Sequence, residues 1–152
     1  MERFVTRCGA TFFFTGHFPI APATFASLVT LAAWWLLPPM PAAAMIVLLV
    51  LLALGGTVVA GGAEAIYGHD AKPIVIDEVL GALLTVAFLG HTLAIAGVGF
   101  FLFRVLDVVK PPPAYQLQSL SGGLGVMADD VMVGVYGNLL LRIVHLVWPR
   151  LI

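Results

Sequence analysis

A run of nineteen residues, Ala42 to Ala60, carries one polar side chain, Thr57, and no charge. Coiled as an α-helix at 1.5 Å per residue it reaches roughly 28 Å, close to the thickness of a bilayer's hydrocarbon core. The run therefore predicts a membrane helix. The rest of the chain agrees, because 61% of its residues are hydrophobic and 10% are charged, against a charged share of roughly 25% in soluble domains. No Ser-rich, Gln-rich or charge-rich stretch divides the 152 residues, so they read as a single domain spanning 1–152.

Other apolar segments are shorter. Ala23 to Leu37 would be roughly 22 Å long as a helix, and Pro38-Pro39-Met40-Pro41 must end it, which makes a helical hairpin with the run that follows. Val79 to Phe103 is long enough for one tilted helix. Gly90-His91 near its middle predicts two short helices instead, since glycine is a weak helix former that often marks an end. A last helix is expected from about Asp130 to Trp148, with Asn138, Arg142 and His145 as its polar exceptions and Pro149 just past its end. The count is about five helices. Arg3 and Arg7 before an apolar run, and Ala21-Pro22-Ala23 after it, have features of an export signal, but Gly16, His17 and Pro19 interrupt the apolar part.

If each hairpin returns the chain to the side it left, residues 1–22, 61–76 and 104–129 share one face of the membrane. They carry Arg3, Arg7, Lys72, Arg104 and Lys110, whereas the opposite turns carry no Lys or Arg, so the shared face is expected to be cytoplasmic. The formal net charge of -1 gives no basic footprint for nucleic acid. Cys8, the only cysteine, excludes an internal disulfide and a cysteine-rich zinc site.

The acidic residues are the most informative. Five of eight fall in three places, Asp77-Glu78, Asp107 and Asp129-Asp130, each expected at a helix end on the shared face. Helix capping explains a single carboxylate well. It explains doublets poorly, because two carboxylates about 5 Å apart repel by roughly 3 kcal/mol at an effective dielectric near 20. A hard cation reverses that sign, and oxygen donors suit Mg²⁺ or Mn²⁺. His17, His69, His91 and His145 are scattered and give no zinc spacing. Arg104, Asp107 and Lys110 are spaced three apart, as surface ion pairs or as a carboxylate ligand flanked by two phosphate-binding cations. Gly122, Gly123 and Gly125 before Asp129-Asp130 make either a turn or an anion-binding loop, and Thr24 and Ser27 are either caps or hydroxyls for a phosphate.

Taken in order, these residues resemble the phosphatidylglycerophosphatase A family. Gly16, Pro19, Pro22, Thr24 and Ser27 are similar to its first block, and His69-Asp70 with Asp77-Glu78-Val79-Leu80-Gly81 to its second. Phe103-Arg104, Asp107 and Lys110-Pro111-Pro112-Pro113 resemble the third, and Gly122-Gly123-Leu124-Gly125-Val126-Met127-Ala128-Asp129-Asp130 the fourth. Ala23 and Ala26 stand where the family pattern has glycines.

The resemblance implies an all-α, polytopic membrane protein of the bacterial inner membrane. Its implied reaction is Mg²⁺-dependent hydrolysis of phosphatidylglycerophosphate to phosphatidylglycerol and inorganic phosphate. In that expectation Asp77, Glu78, Asp107, Asp129 and Asp130 hold the metal, and Arg104, Lys110, Thr24, Ser27, Gly122, Gly123 and Gly125 bind the substrate. Catalysis falls to Asp129, Asp130, Lys110 and Thr24. Direct attack by water is favoured over an aspartyl-phosphate because no D-x-D-x-T segment is present. The rival in another class is a small transporter or proton relay, since acids near membrane helices often line ion paths.

Overall fold

The structure is a computed structural model that describes residues 2–68 and 71–149. Over those residues the chain forms seven α-helices, a 3-10 turn at Thr15–His17, and no strand. The helices are α1 (Glu2–Ala10), α2 (Pro22–Leu36), α3 (Ala42–Tyr67), α4 (Ile76–Val86), α5 (Leu93–Val109), α6 (Ala114–Leu117) and α7 (Gly123–Val147). The all-α expectation holds, with α1 and α6 added to the five helices read from sequence. His69 and Asp70 of the second sequence block lie outside the described residues.

Local chemistry sets most boundaries. Pro22 opens α2, where its fixed φ suits a first turn, and Leu37 leaves the helix before the proline stretch. The apolar block from Val79 does break in two. α4 ends at Val86, and Thr92 caps α5 by accepting a 3.1 Å bond from the Ile95 N–H.

Two boundaries differ from the sequence reading. α3 continues seven residues beyond Ala60, through Gly61 and Gly62 to Tyr67, and stops at Gly68 in the left-handed region. α7 starts at Gly123, so Asp129 and Asp130 sit in its second turn and not at its start. Both differences come from helix contacts. A Cβ on Gly123 would lie 2.0 Å from the Thr57 carbonyl oxygen and 2.6 Å from the Gly61 nitrogen, so bare backbone lets the first turn of α7 seat directly on α3.

α3 and α7 are long and apolar enough to cross a bilayer. Their large apolar side chains point outward: Ile46, Val47, Val50, Leu51, Leu54 and Val58 are exposed on α3, as are Leu139, Ile143 and Leu146 on α7. Asp77, Glu78, Asp107, Asp129 and Asp130 are inside. α4 is the hub, packed against α2, α3, α5 and α7, and nearly every residue on it is buried.

The two hairpin turns meet each other. His91 Nε2 lies 2.6 Å from the Trp34 carbonyl oxygen, and the two rings meet at a 46° tilt with 4.4 Å between centroids. The start of α2, the start of α4 and the end of α5 therefore gather at the other end of the bundle.

Candidate active site

Each candidate side chain is delivered by a helix end or an early turn at that second end. Asp77 and Glu78 occupy the first turn of α4, where the N-cap, Val75, offers no side-chain cap. Asp77 is therefore not the helix cap that a lone carboxylate would be, although both acids enjoy the positive end of the helix dipole. Asp107 lies in the last turn of α5. Lys110 then caps that helix in a left-handed conformation, φ 45°, a position that usually goes to glycine and costs a side-chain-bearing residue on the order of 1 kcal/mol or more.

These groups form one connected chain of charges. Ser27 Oγ donates to Glu78 Oε2 at 3.4 Å. Arg104 Nη1 reaches the same Glu78 oxygen at 2.6 Å and Asp107 Oδ2 at 3.0 Å. Lys110 Nζ stands 3.9 Å from Asp107 Oδ1 and 2.6 Å from Asp129 Oδ2. Three remote stretches of sequence, carried by α4, α5 and α7, are thereby tied together through two cations. Asp77, Glu78, Asp107, Asp129 and Asp130 are all at least nine-tenths buried.

The cluster carries five carboxylates against two cations, an excess of negative charge that burial makes costly. Burial, followed by the charge of Asp107, pushes the Glu78 carboxyl up to about 7, against the opposing pull of Arg104, Lys110 and Ser27. Burial disfavours the Lys110 ammonium, yet its bond to Asp129 and the charges of Asp129 and Asp107 outweigh that and raise its pKa. Asp130 is the outlier. Its Oδ2 is sealed from solvent and finds no hydrogen-bond partner among the described residues, while Glu78, Asp77, Asp107 and Asp129 all lie within its electrostatic reach.

The donors fit a hard divalent cation in kind and in charge, being all oxygen and in excess, and the orphaned Asp130 oxygen is a buried acceptor awaiting a cation or donor. Their present spacing is another matter. Among the described residues no three Asp, Glu, His or Cys side chains converge closely enough to make a ready-formed metal cage; Arg104 and Lys110 stand between the carboxylates instead.

Ser27 is in the cluster through Glu78, its single hydroxyl proton being shared between Glu78 Oε2 at 3.4 Å and the Ala23 carbonyl oxygen at 2.9 Å. Thr24 is half-buried in the first turn of α2, one turn before Ser27. Gly123 and Gly125 are buried in the first turn of α7, and the Gly125 N–H donates to the Gly122 carbonyl at 2.9 Å, a placement that serves backbone packing. Two positioning residues escaped the sequence reading. Tyr136 donates to the Pro112 carbonyl at 2.8 Å and so pins the segment following Lys110. Asn138 donates to the Leu84, Thr85 and Ala87 carbonyls, closing the far end of α4. Nothing in local sequence announces either contact, because the partners are more than twenty residues away.

The described residues form a helical bundle with two bilayer-length apolar helices and a buried cluster of carboxylates, arginine and lysine at one end. The family model described as phosphatidylglycerophosphatase A matches residues 8–145. This chain belongs to the phosphatidylglycerophosphatase A family and is a phosphatase. Among individual relatives, the phosphatidylglycerophosphatase A of Escherichia coli is 31% identical over 140 residues, covering 90% of this chain and 81% of its own. A protein of Bacteroides thetaiotaomicron named "Putative phosphatidylinositol-3-phosphatase" is 34% identical over 141 residues, 88% of this chain and 89% of its own. No solved structure matches.

Proposed function

We propose that this chain hydrolyses phosphatidylglycerophosphate to phosphatidylglycerol and inorganic phosphate, at a site on the cytoplasmic face of a bacterial inner membrane that α3 and α7 cross. The observation that carries the reading is the joining of Glu78, Asp107 and Asp129 through Arg104 and Lys110, in a chain of this family. An apolar groove of about 420 Å³ supports a lipid substrate. It is lined by Leu106, Pro111, Pro112, Tyr136, Leu139 and Leu140, next in sequence to Asp107 and Lys110.

Asp77, Glu78, Asp107, Asp129 and Asp130 are the proposed holders of Mg²⁺, with Mn²⁺ as a substitute. When bound, such an ion supplies neutralisation of phosphoryl charge and acidification of a nearby water. The side chains do the rest. Arg104 and Lys110, already held at the carboxylate edge, are the donors that a phosphate dianion would recruit. Water attacks phosphorus as the bond to the glycerol oxygen breaks, and Asp129 or Asp130 takes the water's proton and returns it to the departing glycerol oxygen, which leaves as the alcohol. The Thr24 hydroxyl orients the phosphate, and Ser27 holds Glu78.

The test is phosphate release by the purified protein from phosphatidylglycerophosphate and from phosphatidylinositol 3-phosphate, each with Mg²⁺ and with chelator. Magnesium-dependent turnover of the first substrate is expected. Faster release from the second would favour the reading suggested by the Bacteroides relative, and release from neither would return the acidic cluster to a transport role. Rapid-quench labelling separates the chemical routes, since a hydroxylamine-sensitive phosphoprotein would replace direct water attack.

A further inference from the structure

A second polar cavity lies away from the carboxylates. It has a volume of about 450 Å³ and is lined by Arg3, Thr6 and Arg7 of α1 and by Gly62, Ala65 and Ile66 of α3. Arg3 and Arg7 are one helical turn apart and so project side by side. Among the described residues neither has a carboxylate partner; Arg7 makes only a cation–π approach to Tyr67, 5.9 Å from the ring centroid. Glu64 leaves α3 on the side away from Gly62, Ala65 and Ile66 by helical spacing.

The depth of this cavity follows from α3. Counting from Ala42, the twenty residues to Gly62 rise roughly 30 Å, one hydrocarbon thickness, so the cavity falls at headgroup level. Two guanidinium groups with no carboxylate partner among the described residues call for an anion there. The surroundings call for hydrocarbon: Phe4, Val5, Phe13 and Phe14 are exposed on and just after α1, an apolar rim beside a cationic pocket. Only an amphiphile satisfies both halves.

We infer that the α1–α3 cavity binds the headgroup of an anionic phospholipid distinct from the substrate, which anchors α1 to the membrane surface. The anchor reaches the reaction site through backbone. The Val75 N–H, at the residue that precedes α4, donates to the carbonyl of Ala10 at the end of α1 at 2.9 Å, and Asp77 and Glu78 follow within the next turn.

Dihexanoyl-phosphatidylserine tests this, being an anionic diester that is neither proposed substrate nor proposed product. Titrated calorimetrically into the detergent-solubilised full chain in chelator, it should bind saturably, and its phosphatidylcholine counterpart should not. Arg3→Gln/Arg7→Gln should weaken binding about twenty-five-fold, each arginine near a surface of anionic lipid contributing on the order of fivefold. Lys110→Gln should leave binding unchanged. Equal affinity in the double variant, equal affinity for the choline lipid, or loss of binding in Lys110→Gln would each overturn the inference, the last by placing the lipid in the reaction site. If the double variant does not fold, a photoactivatable phosphatidylserine decides on the natural chain. Labelling within residues 3–14 or 58–67 supports the site, and labelling confined elsewhere removes it.

Discussion

Asp130 shows how stability and reactivity conflict at a single residue. A buried carboxyl oxygen without a hydrogen bond, surrounded by other acids, is an unsatisfied polar group that folding must tolerate. Asp130→Asn should therefore stabilise the chelated protein by on the order of 1–3 kcal/mol, while removing Mg²⁺-dependent turnover and any thermal stabilisation by Mg²⁺. Thermal unfolding with chelator and with Mg²⁺, beside phosphate release, checks both halves; an unchanged activity would take Asp130 out of the site. Glu78 gives a pH dependence with a defined sign. Its folded pKa, about 7, lies above the ordinary 4.5, so the folded state holds a proton that the unfolded state releases. Its stabilising contribution is complete below about 4.5 and is lost as pH rises through 7. In chelator the melting temperature should fall across that window, and Glu78→Gln should flatten the slope. Much of this was legible in the sequence, because carboxylate doublets in so apolar a chain demand a reason. The Arg104–Glu78 bond was not, since its partners are separated by 26 positions and no local pattern links them.

At the scale of elements, the site depends on how closely α4 and α7 approach. A Cβ on Gly81 would sit 2.8 Å from the Asp130 carbonyl oxygen and 2.5 Å from the buried ring of Phe103, and Phe103 immediately precedes Arg104. Gly81→Ala should thus push α4, α5 and α7 apart and cost about 1–3 kcal/mol. Unfolding in denaturant measures that loss, and a wild-type midpoint would show that the helices can shift at no expense. The helices whose ends are written in proline or in a polar turn, α2 and the α4–α5 pair, were readable in advance. The start of α7 was not, because Gly122-Gly123-Leu124-Gly125 has the composition of a loop, and only the Thr57 carbonyl lying against Gly123 explains why those glycines are helical. α3 outran its apolar run for a related reason. Its last two turns are held by contacts with α1, where a Cβ on Gly62 would lie 3.1 Å from Thr6, and such a contact has no signature in composition.

Over the whole molecule, polarity is distributed inside out: α3 and α7 expose leucine, isoleucine and valine while five carboxylates are enclosed. Water would penalise that surface and lipid would not. The meeting of Trp34 with His91 puts both hairpin turns at one end, and Ser27, Glu78, Arg104 and Lys110 are linked at the other. If α3 and α7 cross the bilayer as proposed, the acidic cluster and the hairpin turns lie on opposite sides of it. Single cysteines in a Cys8→Ala background test the arrangement in sealed vesicles of known orientation. Lys72→Cys and Ser119→Cys, both at exposed positions beside the site-bearing helices, should react with an impermeant thiol reagent from the cytoplasmic face, and Met40→Cys, exposed in the first hairpin turn, only from the opposite face. Reaction of residues 72 and 119 from different faces would divide the cluster across the membrane and remove the site as described. If all three react from the same face, the bundle lies on one surface of the bilayer, and the outward apolar side chains of α3 must be covered by something other than a spanning lipid environment.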